Sequence, residues 1–186
     1  MEVKNLTFNY GEKRMIEKLS FSLSSGRHIA VMGVSGRGKT TLLRLLLGLI
    51  EPQEGEIVHD EGERPAVVFQ EDRLLPWSTA LKNVELVSKS REEAISLLRD
   101  MELGEAADKL PKELSGGMQR RVAIARALAY HGDPLLLDEP FKGLDPDMRE
   151  RIAERILERA EGASILLITH DENEAELLKC DEIIRL

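Results

Sequence analysis

The chain has 186 residues, a formal net charge of −8 at pH 7 and hydrophobic residues at 42% of its positions. This length fits one domain, or one domain with a subdomain, that buries a substantial core. The acidic balance argues against a general nucleic-acid-binding surface, the single cysteine, Cys180, excludes an internal disulfide, and no apolar run approaches the roughly 18 residues of a membrane-spanning helix.

The first part of the chain has strand patterns on either side of a glycine-rich loop. Apolar residues within 3–8 predict a strand near the edge of a sheet, and the alternation with serine in 19–23 predicts a second strand. An apolar segment at 29–32 predicts a buried strand, and 41–47 predicts a helix. The loop between them, 33–40, has the sequence GVSGRGKT and fits G-x-x-x-x-G-K-[ST] at every fixed position.

This order of strand, loop and helix predicts a phosphate-binding loop. Glycines let successive backbone N–H groups face one anion, and the helix N-terminus adds the equivalent of roughly half a positive charge. We expect Lys39 to reach the β- and γ-phosphates of a nucleotide and Thr40 to offer its hydroxyl to Mg²⁺.

The next segment still has strand patterns. Residues 55–59 and 66–70 predict two strands joined as a hairpin through 60–62. His59, in this hairpin, is expected to be a solvated surface residue.

Strand signals then give way to a small helical insert at 71–112. We expect one helix to begin near Ser78 or Thr79 and another at Ser90 with a capping box, the second being stopped by Gly104. Trp77, at the entrance of the insert, is either a packing anchor or an exposed anchor for a partner.

Buried strands return in the last third of the chain. Segments 135–137 and 164–169 are apolar throughout, and Ser115, Asp145 and Asp171 are predicted N-caps of three helices. The alternation of helices with apolar strands predicts an α/β fold of the P-loop NTPase type. We expect a mostly parallel sheet flanked by helices, with an N-terminal antiparallel β region and the helical insert.

Polar residues follow several of these strands, at the edge where ligands bind to parallel sheets. Asp138 is expected to hold Mg²⁺ together with Thr40 and Gln70. Glu139, one residue further, is placed to accept a proton from an attacking water, and His170 to contact the γ-phosphate or that water. Taken singly, a strand-terminal Asp-Glu is also typical of a cap, and a strand-terminal His of a satisfied core residue.

A second candidate anion site lies at 114–119, where two glycines precede a helix and leave N–H groups free at its positive end. The phosphate loop already accommodates the phosphates of one nucleotide. This second site therefore suits a nucleotide held by another subunit.

The order of these motifs resembles that of the nucleotide-binding subunit of an ABC transporter. The matching segments are Gly33–Thr40 (Walker A), Gln70 (Q-loop), Leu114–Gln119 (signature), Leu135–Glu139 (Walker B with the catalytic glutamate), Gly143–Asp145 (D-loop) and His170 (switch histidine). The resemblance implies that ATP contacts Tyr10, as the adenine-stacking aromatic, and Gly33, Val34, Ser35, Gly36, Arg37, Gly38, Lys39, Thr40 and Thr41. It also implies that the ATP of a partner subunit contacts Leu114, Ser115, Gly116, Gly117, Met118 and Gln119.

The resemblance further implies an ATPase that uses ATP and Mg²⁺ in a head-to-tail dimer with a second copy or a homologous ATP-binding subunit. ATP binding would close the dimer and hydrolysis would reopen it, driving an integral membrane permease from the cytoplasmic face of the cell membrane, where the chain would be peripheral. No nucleic-acid partner is expected. One ABC-type domain is implied, with a core of 1–70 and 113–186 and a helical subdomain at 71–112.

A narrower similarity lies in 68–77, VFQEDRLLPW, which is similar to importers for nitrate, sulfonates, taurine and related small solutes. It adds a solute-binding protein to the implied partners. Two alternatives remain at this point: a soluble ABC-type ATPase acting on nucleic acid or ribosomes, and a nucleotide-dependent dimerisation module with negligible turnover.

Overall fold

The computed structural model describes residues 1–34, 36, 38–160 and 162–186. The strands are β1 (Glu2–Tyr10), β2 (Lys13–Ser22), β3 (His28–Met32), β4 (Glu54–Val58), β5 (Ala66–Val68), β6 (Leu135–Asp138), β7 (Ile165–Thr169) and β8 (Glu182–Arg185). The helices are α1 (Lys39–Leu46), α2 (Ala80–Glu85), α3 (Arg91–Asp100), α4 (Gly116–Ala129), α5 (Pro146–Arg159) and α6 (Glu172–Leu177), with short 3₁₀ turns at Gly104–Ala106 and Pro111–Glu113. In the part of the chain described, no helix combines the length and apolar character needed to cross a bilayer.

The larger sheet has five parallel strands in the order β5-β6-β7-β3-β8. Its register aligns Met32 with Thr169 and Asp138 with Ile168, so the carboxyl ends of the central strands lie side by side. Every residue of β6 and β7 is buried, as expected for strands covered on both faces. This arrangement confirms the predicted α/β fold.

The two faces of this sheet pack against different layers. Alternate residues, such as Val31 and Ile168, face a cluster formed with α1 and the smaller sheet. The residues between them, such as Ala30 and Leu167, face a cluster formed with helices that include α4, α5 and the insert. The carboxyl ends of the central strands are thus held in place by hydrophobic cores on both faces of the sheet.

The smaller sheet is antiparallel and corrects two predictions. Its order is β2-β1-β4, so β1 lies in the middle rather than at an edge. The predicted hairpin between 55–59 and 66–70 is also wrong, because β4 pairs with β1 whereas β5 pairs with β6 in the other sheet. The turn-forming residues at 60–62 favour a reversal of the chain but do not determine which strand is the partner, since that depends on which face is buried. Ala66 and Val68 are buried, whereas most of β4 is exposed.

The two helices predicted within 71–112 begin as expected. Thr79 caps α2 by accepting the N–H of Lys82, and Ser90 caps α3 by accepting that of Glu93. The carboxylate of Glu93 reaches back to the N–H of Lys89, one residue before the position that a capping box requires.

The end of α3 differs from the prediction. The helix ends at Asp100, and the chain turns through Glu102 with a left-handed φ of 55°, before Gly104 is reached. Main-chain bonds from the N–H groups of Glu102 and Leu103 to the carbonyls of Arg99 and Leu98 close the end of the helix. The Glu102 carboxylate also accepts a bond from Arg151 Nε across 2.6 Å.

Candidate nucleotide-binding and hydrolysis site

The phosphate loop connects β3 to α1 and is backed by the smaller sheet. Gly38 has a φ of 98°, and a Cβ at this position would lie 2.5 Å from the carbonyl oxygen of Met15. Only glycine therefore fits there. Met15 lies two residues beyond Lys13, which pairs with Tyr10 across the β1–β2 hairpin. The predicted adenine-stacking residue is thus on the hairpin that contacts the loop.

Lys39 begins α1 and is buried, with 8% of its surface exposed. Its ammonium donates to the carbonyl oxygen of Gly33 at the start of the loop. The Lys39 side chain therefore spans the loop from its end to its start and brings its positive charge there. The capping position, Gly38, has no side chain to accept a bond from the first turn of the helix, and these N–H groups point towards the loop. Two predicted ATP-binding residues, Ser35 and Arg37, lie outside the described residues.

Tyr10 is exposed for 45% of its surface, and its ring meets that of Phe8 edge to face with centroids 4.9 Å apart. Its open face is available for stacking on a base. Val34 is also exposed, whereas Thr41 is buried beneath the start of α1.

Thr40 and Asp138 meet although they are far apart in sequence. The Thr40 hydroxyl donates to Asp138 Oδ2 across 3.5 Å, at the end of β6. Asp138 is 2% exposed, and burial together with the charge of Glu139 raises its pKa to about 6. Hydroxyl and carboxylate oxygens of this kind are typical Mg²⁺ ligands.

Glu139 lies between Gln70 and His170. The Gln70 amide donates to Glu139 Oε2 across 3.4 Å, and His170 Nδ1 lies 3.6 Å from Oε1. Glu139 itself has a φ of 49°, and its N–H donates to the carbonyl of Ile168 in the next strand. A left-handed conformation costs a non-glycine residue roughly 1–2 kcal/mol. This conformation turns the Glu139 side chain out of the strand and into the site.

The signature segment forms a separate site. Ser115 caps α4 by accepting the N–H of Met118; of the two glycines that follow, Gly116 is exposed and Gly117 is half-buried. A Cβ on Gly117 would lie 3.0 Å from the carbonyl oxygen of Gly143, so a larger residue there would displace the D-loop by a few tenths of an ångström. Asp145, the predicted D-loop residue, caps α5 through the N–H of Met148.

A cavity of about 620 Å³ joins these motifs. Its lining includes Ser115, Gly116, Gly117, Asp145 and Gln70, but none of the described residues of the phosphate loop. The structure therefore brings the signature and D-loop residues together and keeps them apart from the phosphate loop of the same chain.

The ends of the signature segment face inwards. Leu114 is 6% exposed, and its carbonyl accepts a bond from the Gln119 amide, while Met118 packs on the core. These three residues hold the segment in place, and Ser115 and the glycines form its open part.

Sequence analysis missed the part played by Arg120. This residue is 3% exposed, and its guanidinium donates to the carbonyl oxygens of Phe69 and Gln70. A sequence feature could have indicated this role: Arg120 lies three residues after Gly117 and four before Ile124, so helical spacing places it on the buried face of α4.

The chain is similar to known proteins in both sequence and structure. The profile of the family described as "ABC transporter" matches residues 16–142. The "Aliphatic sulfonates import ATP-binding protein SsuB" of Granulibacter bethesdensis is 43% identical over 182 residues, covering 95% of this chain and 75% of that protein. A protein of the same description from Pseudomonas syringae is 40% identical over 191 residues, covering 100% of this chain and 69% of the relative.

Two solved structures have the same fold. The dimeric structure of a bacterial ABC transporter cassette matches with a TM-score of 0.87 and 33% identity, covering 100% of this chain and 93% of that one. A dimeric post-hydrolysis state of the cassette, bound to ADP and Pi, matches with a TM-score of 0.86 and 32% identity, with the same coverage. These matches confirm the resemblance drawn from the motifs. The chain belongs to the ABC transporter family, as an ATP-binding subunit and an ATPase.

Proposed function

We propose that this chain hydrolyses MgATP in a head-to-tail dimer and thereby drives a membrane permease that imports a small solute. The observation that carries the proposal is the convergence of Lys39, Thr40, Gln70, Asp138 and Glu139 at one edge of the parallel sheet, with His170 beside them. These residues come from four separate parts of the chain and match the groups that phosphoryl transfer requires.

Mg²⁺ would be held by the oxygens of Thr40, Asp138 and Gln70. Among the described residues, no group of three or more His, Cys, Asp or Glu side chains is placed to hold a metal ion. This fits Mg²⁺, which is usually bound by one or two carboxylates together with substrate phosphates rather than by a complete protein cage. When bound, the ion would neutralise charge on the phosphates.

Hydrolysis is assigned to Glu139 and His170. Glu139 would accept the proton of the attacking water, because its carboxylate is turned into the site next to the metal-binding Asp138. His170 would orient that water or the γ-phosphate from the other side of Glu139. Lys39 and the loop N–H groups from Gly33 to Thr41 would bind the phosphates.

The second half of each ATP site would come from the partner. The cavity at Ser115, Gly116 and Gly117 includes no described residue of the chain's own phosphate loop, so a second copy or a homologous subunit in head-to-tail orientation would bring the two halves together. The similar cassette of known structure is dimeric, which supports this arrangement.

The membrane partner is inferred from relatives and from one exposed surface. Several relatives about 40% identical to this chain are described as import proteins for aliphatic sulfonates, so we propose a sulfonate-like solute, delivered by a solute-binding protein. Trp77 is 75% exposed at the entrance of the insert. The groove between Gln70–Trp77 and the insert would receive the permease, and the chain would then lie at the cytoplasmic face of the membrane.

The proposed domain organisation follows the chain path. Residues 1–70 and 113–186 would form the core and 71–112 the helical subdomain of a single ABC-type domain. The nucleic-acid or ribosome alternative is not favoured by relatives described as import proteins.

Two measurements test this function. Purified protein should hydrolyse ATP in a Mg²⁺-dependent manner, and Lys39→Ala should remove ATP binding and turnover. The tagged chain, recovered from its native membranes, should bring with it a polytopic membrane protein identified by mass spectrometry. Recovery of ribosomal proteins or nucleic acid in its place would contradict the transport role and leave the ATPase assignment intact.

A further inference from the structure

The arginines of α4 hold the segment that follows β5. Arg120 Nη1 donates to the carbonyl oxygen of Phe69 across 2.5 Å, and Nη2 to that of Gln70 across 2.6 Å. Further along the same helix, the two Nη atoms of Arg126 donate to the carbonyls of Asp72 and Arg73, both across 2.9 Å. Four carbonyls within the segment 69–73, called here the Gln70 segment, are thus bound by two guanidinium groups of one helix.

The need for these bonds follows from the chain path. The Gln70 segment follows the end of β5 and precedes α2, so its carbonyls have no partner strand. In place of a neighbouring strand, arginine side chains donate to these partly buried and exposed carbonyls, and a planar guanidinium can donate to two of them at once. Arg120 is 3% exposed and also lies 3.1 Å from Asp72 Oδ1. This ion pair compensates the burial of its charge.

The contact with Gln70 bears on catalysis. The main-chain carbonyl of Gln70 is fixed by Arg120, and the side-chain amide of the same residue donates to Glu139. The direction of the Gln70 side chain towards the proposed metal and base therefore depends on a guanidinium that itself touches neither of them. Arg120 also follows Gly117 of the signature segment by only three residues, so it links the signature site to the Gln70 segment.

We propose that Arg120 is a positioning residue of the ATPase site, acting through the main chain of Gln70 to place its amide beside Glu139 and the metal. The inference rests on the proposed roles of Gln70 and Glu139. It predicts that losing the two hydrogen bonds from Arg120 to the main chain lowers ATP turnover and raises the Mg²⁺ concentration that turnover requires. The binding of ATP through Lys39 should be retained.

The decisive variant is Arg120→Lys, which keeps the buried positive charge but cannot donate in one plane to two carbonyls. We expect turnover to fall about tenfold or more, as is usual when a residue that orients a metal ligand is lost. The Mg²⁺ concentration for half-maximal turnover should rise, and the Kd for ATP without Mg²⁺ should change less than about twofold.

Arg126→Lys is the matched control. It removes the same type of guanidinium–carbonyl bond from the same helix, but the carbonyls concerned are those of Asp72 and Arg73 and not that of Gln70. It should leave the Mg²⁺ requirement unchanged. An equal shift in both variants would overturn the proposal, since it would show a general loosening of the helix. If Arg120→Lys does not give a folded protein by thermal unfolding, Arg120→Gln provides a second variant that removes the buried charge and is expected to give the same Mg²⁺ shift.

A double-mutant cycle tests whether Arg120 acts through Gln70. Adding Arg120→Lys to Gln70→Ala should lower turnover little beyond Gln70→Ala alone. Multiplied losses would show an independent role and overturn the inference, as would a Gln70→Ala variant with unchanged turnover. Lys39→Ala, measured in parallel, distinguishes a failure of the proposed function from a failure of this inference. If Lys39→Ala retained turnover, the proposed function would be contradicted. If Lys39→Ala lost turnover while Arg120→Lys was unaffected, only this inference would be overturned.

Discussion

Gln70 donates its side-chain amide to Glu139 across 3.4 Å and so connects the residues that follow β5 and β6. At this length the bond is longer than a usual N–H···O bond. A bound phosphate or water can therefore replace one of the two partners, at a cost within the roughly 1.5–3 kcal/mol of a hydrogen bond to a charged group. The pair is suited to rearrange when nucleotide enters the site.

The first prediction concerns Glu139. Glu139→Gln keeps the shape of the side chain but removes the carboxylate that would accept the proton, so turnover should fall at least about 100-fold. ATP should still bind, and the protein should elute as an ATP-bound dimer on size-exclusion chromatography. Turnover at the native rate would show that another group is the base.

The second prediction concerns Gly38. Gly38→Ala would place a Cβ 2.5 Å from the carbonyl oxygen of Met15 at a φ of 98°, so the loop must shift. We expect the affinity for ATP to fall at least about tenfold, which corresponds to roughly 1.4 kcal/mol. Gly48→Ala is the control, because Gly48 also has a positive φ but a Cβ added there would meet no atom within 4 Å. Equal losses of ATP affinity in the two variants would argue against a specific clash.

The third prediction concerns pH. The pKa of Asp138 is raised to about 6 by burial and by the neighbouring charge of Glu139. Its carboxylate therefore takes up a proton as the pH falls through about 6, and a protonated carboxyl is a poor metal ligand. The affinity for Mg²⁺, measured in the presence of ATP by calorimetry between pH 5 and 8, should be steady at the alkaline end and decline below about pH 6. In Asp138→Asn this decline of Mg²⁺ affinity below about pH 6 should be missing. A decline that persists in the variant would come from another titrating group.

The fourth prediction concerns Trp77. Because 75% of its surface is exposed, Trp77→Ala should leave the midpoint of thermal unfolding and the turnover of the isolated subunit nearly unchanged. The yield of the copurified membrane protein should fall, since an exposed aromatic anchor often carries much of the binding energy. Tyr130→Ala, which removes another exposed aromatic at the far end of α4, should not reduce this yield. A normal yield with Trp77→Ala would remove this residue from the docking surface.

Local features were predictable from the sequence, whereas strand partners were not. The caps at Ser115 and Asp145 were correctly predicted because a cap depends on residues three positions apart. The central position of β1 and the division of β4 and β5 between two sheets depend on which distant surfaces are buried, and a single strand pattern does not contain that information.

The candidate site shows the same limit. Thr40, Asp138, Glu139 and His170 could be proposed because each lies at or beyond the carboxyl end of a strand in a parallel sheet. Arg120 could not, because its contacts are with carbonyl oxygens 50 and 51 positions away in the chain. Contacts with main-chain atoms leave no residue pattern at the position contacted.

The order of the parallel sheet has a consequence for how the protein folds during synthesis. β7 lies between β3 and β6, so these two strands have no shared neighbour until residues 165–169 have left the ribosome. Until then the apolar strands that precede the phosphate loop and Asp138 lack the strand that joins them, and a nascent chain of this length exposes them to aggregation. We therefore expect the ability to bind nucleotide to appear late and in one step, once the last third of the chain is made.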